Sequence, residues 1–240
     1  MNITPDFSVL GLALTVPLMG YVLAEGIIGK RSYDRMQRRR DEDPKALTGM
    51  YRTWIAGAWG SVALVLAVLA VSPGIAPSDL GLNLPAEASE TLGMIAGVAF
   101  AMTVVALAIG LRGGLPQRQG ATGLQPRTTA ERWWAAAMSV TAGVCEEIVY
   151  RGFLIAFGVG VLGLETTPAA LLALALFAAG HLYQGWQSMF LIALVGGALT
   201  RLYLTTGSLV LPIIVHALID IMAIVVLPAL NGRRSAETAG

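Results

Sequence analysis

The chain has 240 residues, 55% of them hydrophobic and 13% charged, with a net charge of +1 and a mean hydropathy of +0.68. An average soluble domain carries about twice that share of charge, so the composition excludes a soluble globular protein, and no nucleic-acid partner is expected. One cysteine, Cys145, excludes an intrachain disulfide, and there is no internal repeat or low-complexity tract.

Seven apolar runs, at 8–28, 54–71, 91–111, 138–162, 168–183, 189–204 and 209–230, approach or reach the roughly 20 residues that span about 30 Å of hydrocarbon. They predict an all-α, polytopic membrane bundle of about seven transmembrane helices. No positive residue precedes the first run, and Lys30, Arg31, Arg35, Arg38, Arg39 and Arg40 follow it, which argues against a cleaved signal peptide. Residues 30–52 read as a solvated loop that sets topology. Glu25, near the end of the first run, is expected to reach the interface or to pair with Lys30. The loop at 72–90 has no Lys or Arg, whereas the next one carries Arg112, Arg118, Arg127 and Arg132, and the tail carries Arg233 and Arg234. With the N-terminus outside and the C-terminus in the cytoplasm, 14 of the 16 basic residues lie on the cytoplasmic side, as the positive-inside rule requires. The exceptions are Arg151 and Arg201; Arg201, near the outer end of its run, is expected to snorkel.

Thr128 and Glu131 have capping-box spacing and precede Trp133 and Trp134. This segment is either a short interfacial helix or the first turns of a long tilted span. The fourth run then contains Glu146, Glu147 and Arg151. Three such residues facing lipid would cost roughly 7 to 10 kcal/mol, so they must face protein or water. Glu147 and Arg151 are four apart, share a helical face and are expected to pair. Glu146 is rotated by about 100° on a 3.6-residue helix, which leaves it without that partner.

The fifth run carries Phe177 and, four residues on, His181; the seventh carries His216 and, four on, Asp220. These are the chain's two histidines. The sixth run, at 189–204, is short, so the turn after it should dip below the outer surface and lower His216 toward the depth of His181 and Glu146. Gly180, Gly185, Gly196 and Gly197 read as close-packing positions between helices. Two histidines and two carboxylates on different apolar helices suit hydrolysis. A glutamate in a low-dielectric pocket can take a proton from water beside a histidine, with further polar groups at the developing oxyanion. The same four residues, Glu146, His181, His216 and Asp220, would equally make a zinc site with an open position, and spacing alone does not separate the two.

In that order and on successive apolar runs, Glu146-Glu147-x-x-x-Arg151, Phe177-x-x-x-His181 and His216-x-x-x-Asp220 resemble the motifs of the CAAX prenyl protease and bacteriocin-processing (Abi, CPBP) family of intramembrane proteases. The resemblance covers about residues 138–230. It implies that Glu146 and His181 activate water, that His216 and Asp220 line the oxyanion side, and that Glu147, Arg151 and Phe177 support the site. It implies an endopeptidase acting on a membrane protein or peptide, lipidated in some members. The family has been described both as metal-dependent and as metal-independent glutamate proteases, so the expected cofactor is either none or zinc. Its last motif often ends in Asn, whose amide donates a hydrogen bond; Asp220 must be protonated, orient His216 or ligate a metal.

The expected organisation is an N-terminal three-helix membrane region at 1–125, a catalytic membrane domain at 126–232 and a cytoplasmic tail at 233–240. Two other functions use the same polar residues: a non-catalytic scaffold or bacteriocin-immunity factor that binds a peptide in the cavity, and a proton-coupled transporter.

Overall fold

The computed structural model describes residues 1–84, 92–93, 96–97 and 122–229, and among these there are helices joined by short turns and no strand. Helix α1 (Val9–Arg39) starts where Ser8 Oγ accepts a hydrogen bond from the Gly11 N–H at 2.9 Å. Its 31 residues cover about 46 Å, some 16 Å more than the hydrocarbon is thick. The last turns therefore project beyond the membrane, with Lys30 on Asp34 at 2.8 Å and Arg39 on Asp43 at 2.6 Å along an exposed face. Helix α2 (Ala46–Val71) returns alongside it.

Helix α3 (Thr129–Glu146) continues without a break into a π-helical segment, Glu147–Phe153, and then into α4 (Leu154–Gly160). The segment with Trp133 is thus the start of a long helix and not a separate interfacial one. After a turn come α5 (Thr166–Gly180), α6 (Trp186–Thr206) and α7 (Val210–Asp220), which passes into a second π segment, Ile221–Val226. Helix α6 ends on Gly207, in the left-handed conformation at φ 66°.

Pairwise packing runs from α1 to α2, α3, α7, α6, α5 and back to α1, closing a circuit of helices. The first π segment packs against α2 and α5, and all seven of its residues are buried. On the opposite surface of the bundle apolar side chains stay exposed. Val9, Val16 and Leu23 recur every seven residues along one face of α1, a pattern that costs nothing in lipid and much in water.

Among the described residues, four helices are long and apolar enough to cross a membrane: Val9–Arg39, Ala46–Val71, Trp186–Thr206 and Val210–Ala229. The fold is the expected all-α membrane bundle, with four of the seven anticipated spans meeting that test. The run at 91–111 lies outside the described residues except for 92–93 and 96–97. Helix α5, at 15 residues, covers about 22 Å. The sixth run is longer than its apolar stretch implied: the helix starts at Trp186 and covers about 31 Å, because polar Gln187 and Ser188 in its first turn are helical too. The dip inferred from a short sixth span is therefore not what aligns the polar residues.

A buried ion pair joins the projecting ends of α1 and α3. Arg40, only 6% exposed, donates to both oxygens of Glu131, which also accepts from the Arg127 N–H at 2.6 Å and completes a capping box with Thr128. Burial is the strongest influence on Glu131 and pushes its carboxyl up. The Arg40 hydrogen bond, the Arg127 N–H and the Arg40 charge together outweigh it and leave the carboxyl below its ordinary value. Arg40 thus departs from the solvated loop expected for 30–52: the projecting end of α1 has a partner helix whose first turn carries a carboxylate.

Candidate active site

The polar residues meet because α3 and α7 touch backbone to backbone. A Cβ on Gly143 would lie 2.8 Å from the Ala217 nitrogen, so no side chain fits between the helices there. Glu146 is three residues beyond Gly143; His216 precedes Ala217 and Asp220 is three beyond it. Helix α5 ends at Gly180, and His181 takes up the cap position, turning its ring inward.

His181 Nδ1 donates to the Phe177 carbonyl at 2.9 Å, and His216 Nδ1 donates to Glu147 Oε1 at 2.7 Å. Both rings are oriented by the bond at one nitrogen, which leaves the other, Nε2, for the site. Glu146 Oε2 lies 3.9 Å from His181 Nε2 and 3.7 Å from His216 Nε2. These separations exceed a hydrogen bond, and Glu146 Oε2 is buried with no hydrogen-bond partner. Asp220 Oδ2 is 3.8 Å from His216 Nε2, also too far for a direct bond. The four residues proposed from sequence are therefore brought together, with gaps of 3.7 to 3.9 Å between them.

The residues expected to support the site, Glu147, Arg151 and Phe177, lie beside these four. Arg151 Nη1 is 3.0 Å from Glu147 Oε1, the pair expected from their spacing. The guanidinium also donates to the Gly196 carbonyl at 3.2 Å and to Thr200 Oγ1 at 3.4 Å, tying the π segment to α6. The Phe177 ring carries the Arg151 guanidinium at 4.2 Å and stands edge-on to His216. The whole cluster is a relay of buried contacts running from α6 through Arg151, Glu147 and His216 to the Glu146 gap. The Glu147 contact to His216 has no sequence signal, since the two lie 69 residues apart.

Beside Glu146 and His181 is a cavity of about 90 Å³, room for several waters. Its far wall comes from α1 and α2, through Tyr21, Glu25 and Trp54. Glu25 neither reaches the interface nor pairs with Lys30, whose ammonium is on Asp34. Instead it accepts a hydrogen bond from the Tyr150 hydroxyl, because Gly26 and Gly180 let α1 approach the end of α5 closely enough for the side chain to turn inward. Its position inside an apolar run was the signal. Among the glycines, Gly180, Gly196 and Gly197 face neighbouring side chains as expected, but Gly185 has nothing within 4 Å and a φ of 83°; it serves the turn between α5 and α6. Cys145 is buried in the cavity wall, and Arg201 is exposed at the edge of a groove between α5 and α6. Among the described residues, no group of three or more His, Cys, Asp and Glu side chains is arranged to hold a metal ion.

No curated protein and no solved structure matches this chain. A family model does: residues 128–222, which hold Glu146, Glu147, Arg151, Phe177, His181, His216 and Asp220, match the type II CAAX prenyl endopeptidase Rce1-like family, and it is to these CAAX-type membrane proteases that this stretch of the chain is similar.

Proposed function

We propose that this protein is an intramembrane endopeptidase that hydrolyses a peptide bond of a membrane-associated protein or peptide, with Glu146 and His181 activating the water. The observation that carries the reading is the buried, unbonded Oε2 of Glu146, set 3.9 and 3.7 Å from two histidine Nε2 atoms at the wall of a cavity. The similarity of residues 128–222 to CAAX-type endopeptidases supports it.

A water about 2.8 Å from both Glu146 Oε2 and His181 Nε2 fits the 3.9 Å gap between them. Glu146 takes one of its protons as the oxygen attacks the substrate carbonyl carbon, and His181 holds the water in line. The carbonyl oxygen becomes an oxyanion on the side of His216 and Asp220. Glu147, accepting from Nδ1, holds His216 as an imidazolium, whose Nε2–H donates to that oxygen. Asp220 assists as a carboxylic acid, which donates a hydrogen bond; as a carboxylate it would repel the oxyanion. The proton held on Glu146 passes to the amide nitrogen as the C–N bond breaks, giving a new carboxyl and a new amine. Metal dependence is tested separately by chelating the purified protein: unchanged cleavage supports the glutamate form, and loss restored by zinc overturns it.

The basic residues that follow the first run and precede the fourth set the orientation in this reading, N-terminus outside and C-terminus cytoplasmic. The test compares the protein termini in membranes that contain wild-type or Glu146→Gln protein. Termini that vanish with the variant are the expected products. A scaffold that only binds a peptide in the cavity predicts the same termini in both membranes, and that result would sink the proposal.

A further inference from the structure

We propose that Glu25 is a specificity-determining residue, selecting substrates that carry a basic side chain next to the scissile bond. The inference rests on the endopeptidase reading above. Glu25 lies on α1, outside the stretch that matches the family. It nevertheless shares a cavity wall with Glu146 and His181.

One Glu25 oxygen is taken by the Tyr150 hydroxyl; among the described residues the other has no hydrogen-bond partner. Among the described residues no Lys or Arg lines the cavity: Lys30, next to the lining Gly29, is on Asp34, and Arg151 is committed to Glu147, Gly196 and Thr200. The remaining wall is rich in aromatic faces. Tyr21, Trp54, Tyr150 and Tyr183 all line it, with the Trp54 and Tyr183 rings 5.2 Å apart. A carboxylate with a free oxygen among Tyr and Trp rings is the setting in which an ammonium or guanidinium is held by charge and by ring quadrupoles together. A carboxylate alone in a low-dielectric wall is costly, and a substrate cation offsets that cost. An apolar or acidic substrate side chain would leave Glu25 without a partner or oppose it.

The position also fits the chemistry. Tyr150 is four residues beyond Glu146, on the same side of the segment, and the Glu25 carboxylate lies against Gly180, the neighbour of His181. A side chain bound to Glu25 therefore belongs to a residue beside the bond being cut, while Glu146 keeps its own oxygen free for water.

The test uses purified full-length protein in lipid nanodiscs and peptides with one membrane-spanning segment that differ only in having Lys, Gln or Glu beside the scissile bond, on either side. Cleavage is measured with wild-type protein, and binding with the Glu146→Gln protein. The expected result is a preference of about tenfold or more for Lys over Gln in both measurements. In Glu25→Gln, whose amide oxygen still accepts from Tyr150, that ratio should fall to near 1; in Glu25→Asp, which keeps the charge, the preference should persist. Equal treatment of the three peptides, or a Lys preference that survives Glu25→Gln, would overturn the assignment. If wild-type protein cleaves none of the peptides but the Glu146→Gln protein shows a Lys preference in binding that Glu25→Gln removes, the specificity stands and the endopeptidase reading fails.

Discussion

Replacing Gly143 by alanine tests whether the α3 and α7 crossing sets the geometry of the site. The added Cβ would stand 2.8 Å from both the nitrogen and the Cβ of Ala217 and 3.0 Å from its Cα. Ordinary contact begins near 3.4 Å, so the helices must separate by at least about 0.6 Å, and by more than 1 Å to relax fully. Two of the three opposing atoms are backbone, which leaves no flexible side chain to absorb the strain. Glu146 moves with α3 and His216 with α7, so their 3.7 Å separation opens to about 4.5 Å. A displacement of that size costs on the order of 10²-fold in rate. Overpacking itself costs about 1 to 3 kcal/mol, a fall of several degrees in Tm. The assay is kcat/KM on a cleaved membrane peptide with the unfolding temperature measured in the same detergent. Gly60→Ala is the control, because nothing lies within 4 Å of its added Cβ. Wild-type rate and wild-type Tm in Gly143→Ala would refute the reasoning.

Other substitutions separate stability from chemistry. Glu131→Gln leaves Arg40 buried without its carboxylate and should destabilise the fold by about 3 kcal/mol, read as a lowered Tm at neutral pH. Because the Glu131 carboxyl is held below its ordinary value of 4.5, its stabilisation is fully present above that pH and is lost as the pH falls through the lower folded value. Melting scans below pH 4.5 should show that loss in wild-type protein, and Glu131→Gln should lack this component. At Asp220, Asn supplies a donor without charge and should keep cleavage within about tenfold of wild type, whereas Ala should lose on the order of 10² to 10³. Equal rates for the two variants would remove Asp220 from the oxyanion side.

What could be read from sequence and what could not divides along physical lines. The membrane bundle was legible because lipid imposes long apolar runs, and the Glu147–Arg151 pair because i,i+4 spacing holds within one helix. The capping box at Thr128 and Glu131 was legible for the same local reason. Contacts between distant segments were not. The Glu147 carboxylate on His216, the Arg40 side chain on Glu131 and the Glu25 carboxylate on Tyr150 each depend on how helices far apart in the chain are packed. The length of the sixth helix was not legible from its apolar stretch, because polar residues in a first turn are as helical as apolar ones, and the helix starts at Trp186. Close approach at Gly143 supplies the alignment instead. The change from α to π winding at Glu147 also escaped the 3.6-residue rotation used for Glu146, although among the described residues Arg151 still pairs with Glu147 and not with Glu146, the last α-helical residue.

The central claim is that Glu146 activates water to cut a peptide bond. It is tested most directly by cleaving a membrane peptide with purified protein in ¹⁸O-labelled water and weighing both products. Wild-type protein should place one ¹⁸O atom in the new carboxyl, and Glu146→Gln, melting at the wild-type temperature, should give no product. The same labelled product from the folded Glu146→Gln protein would contradict the account.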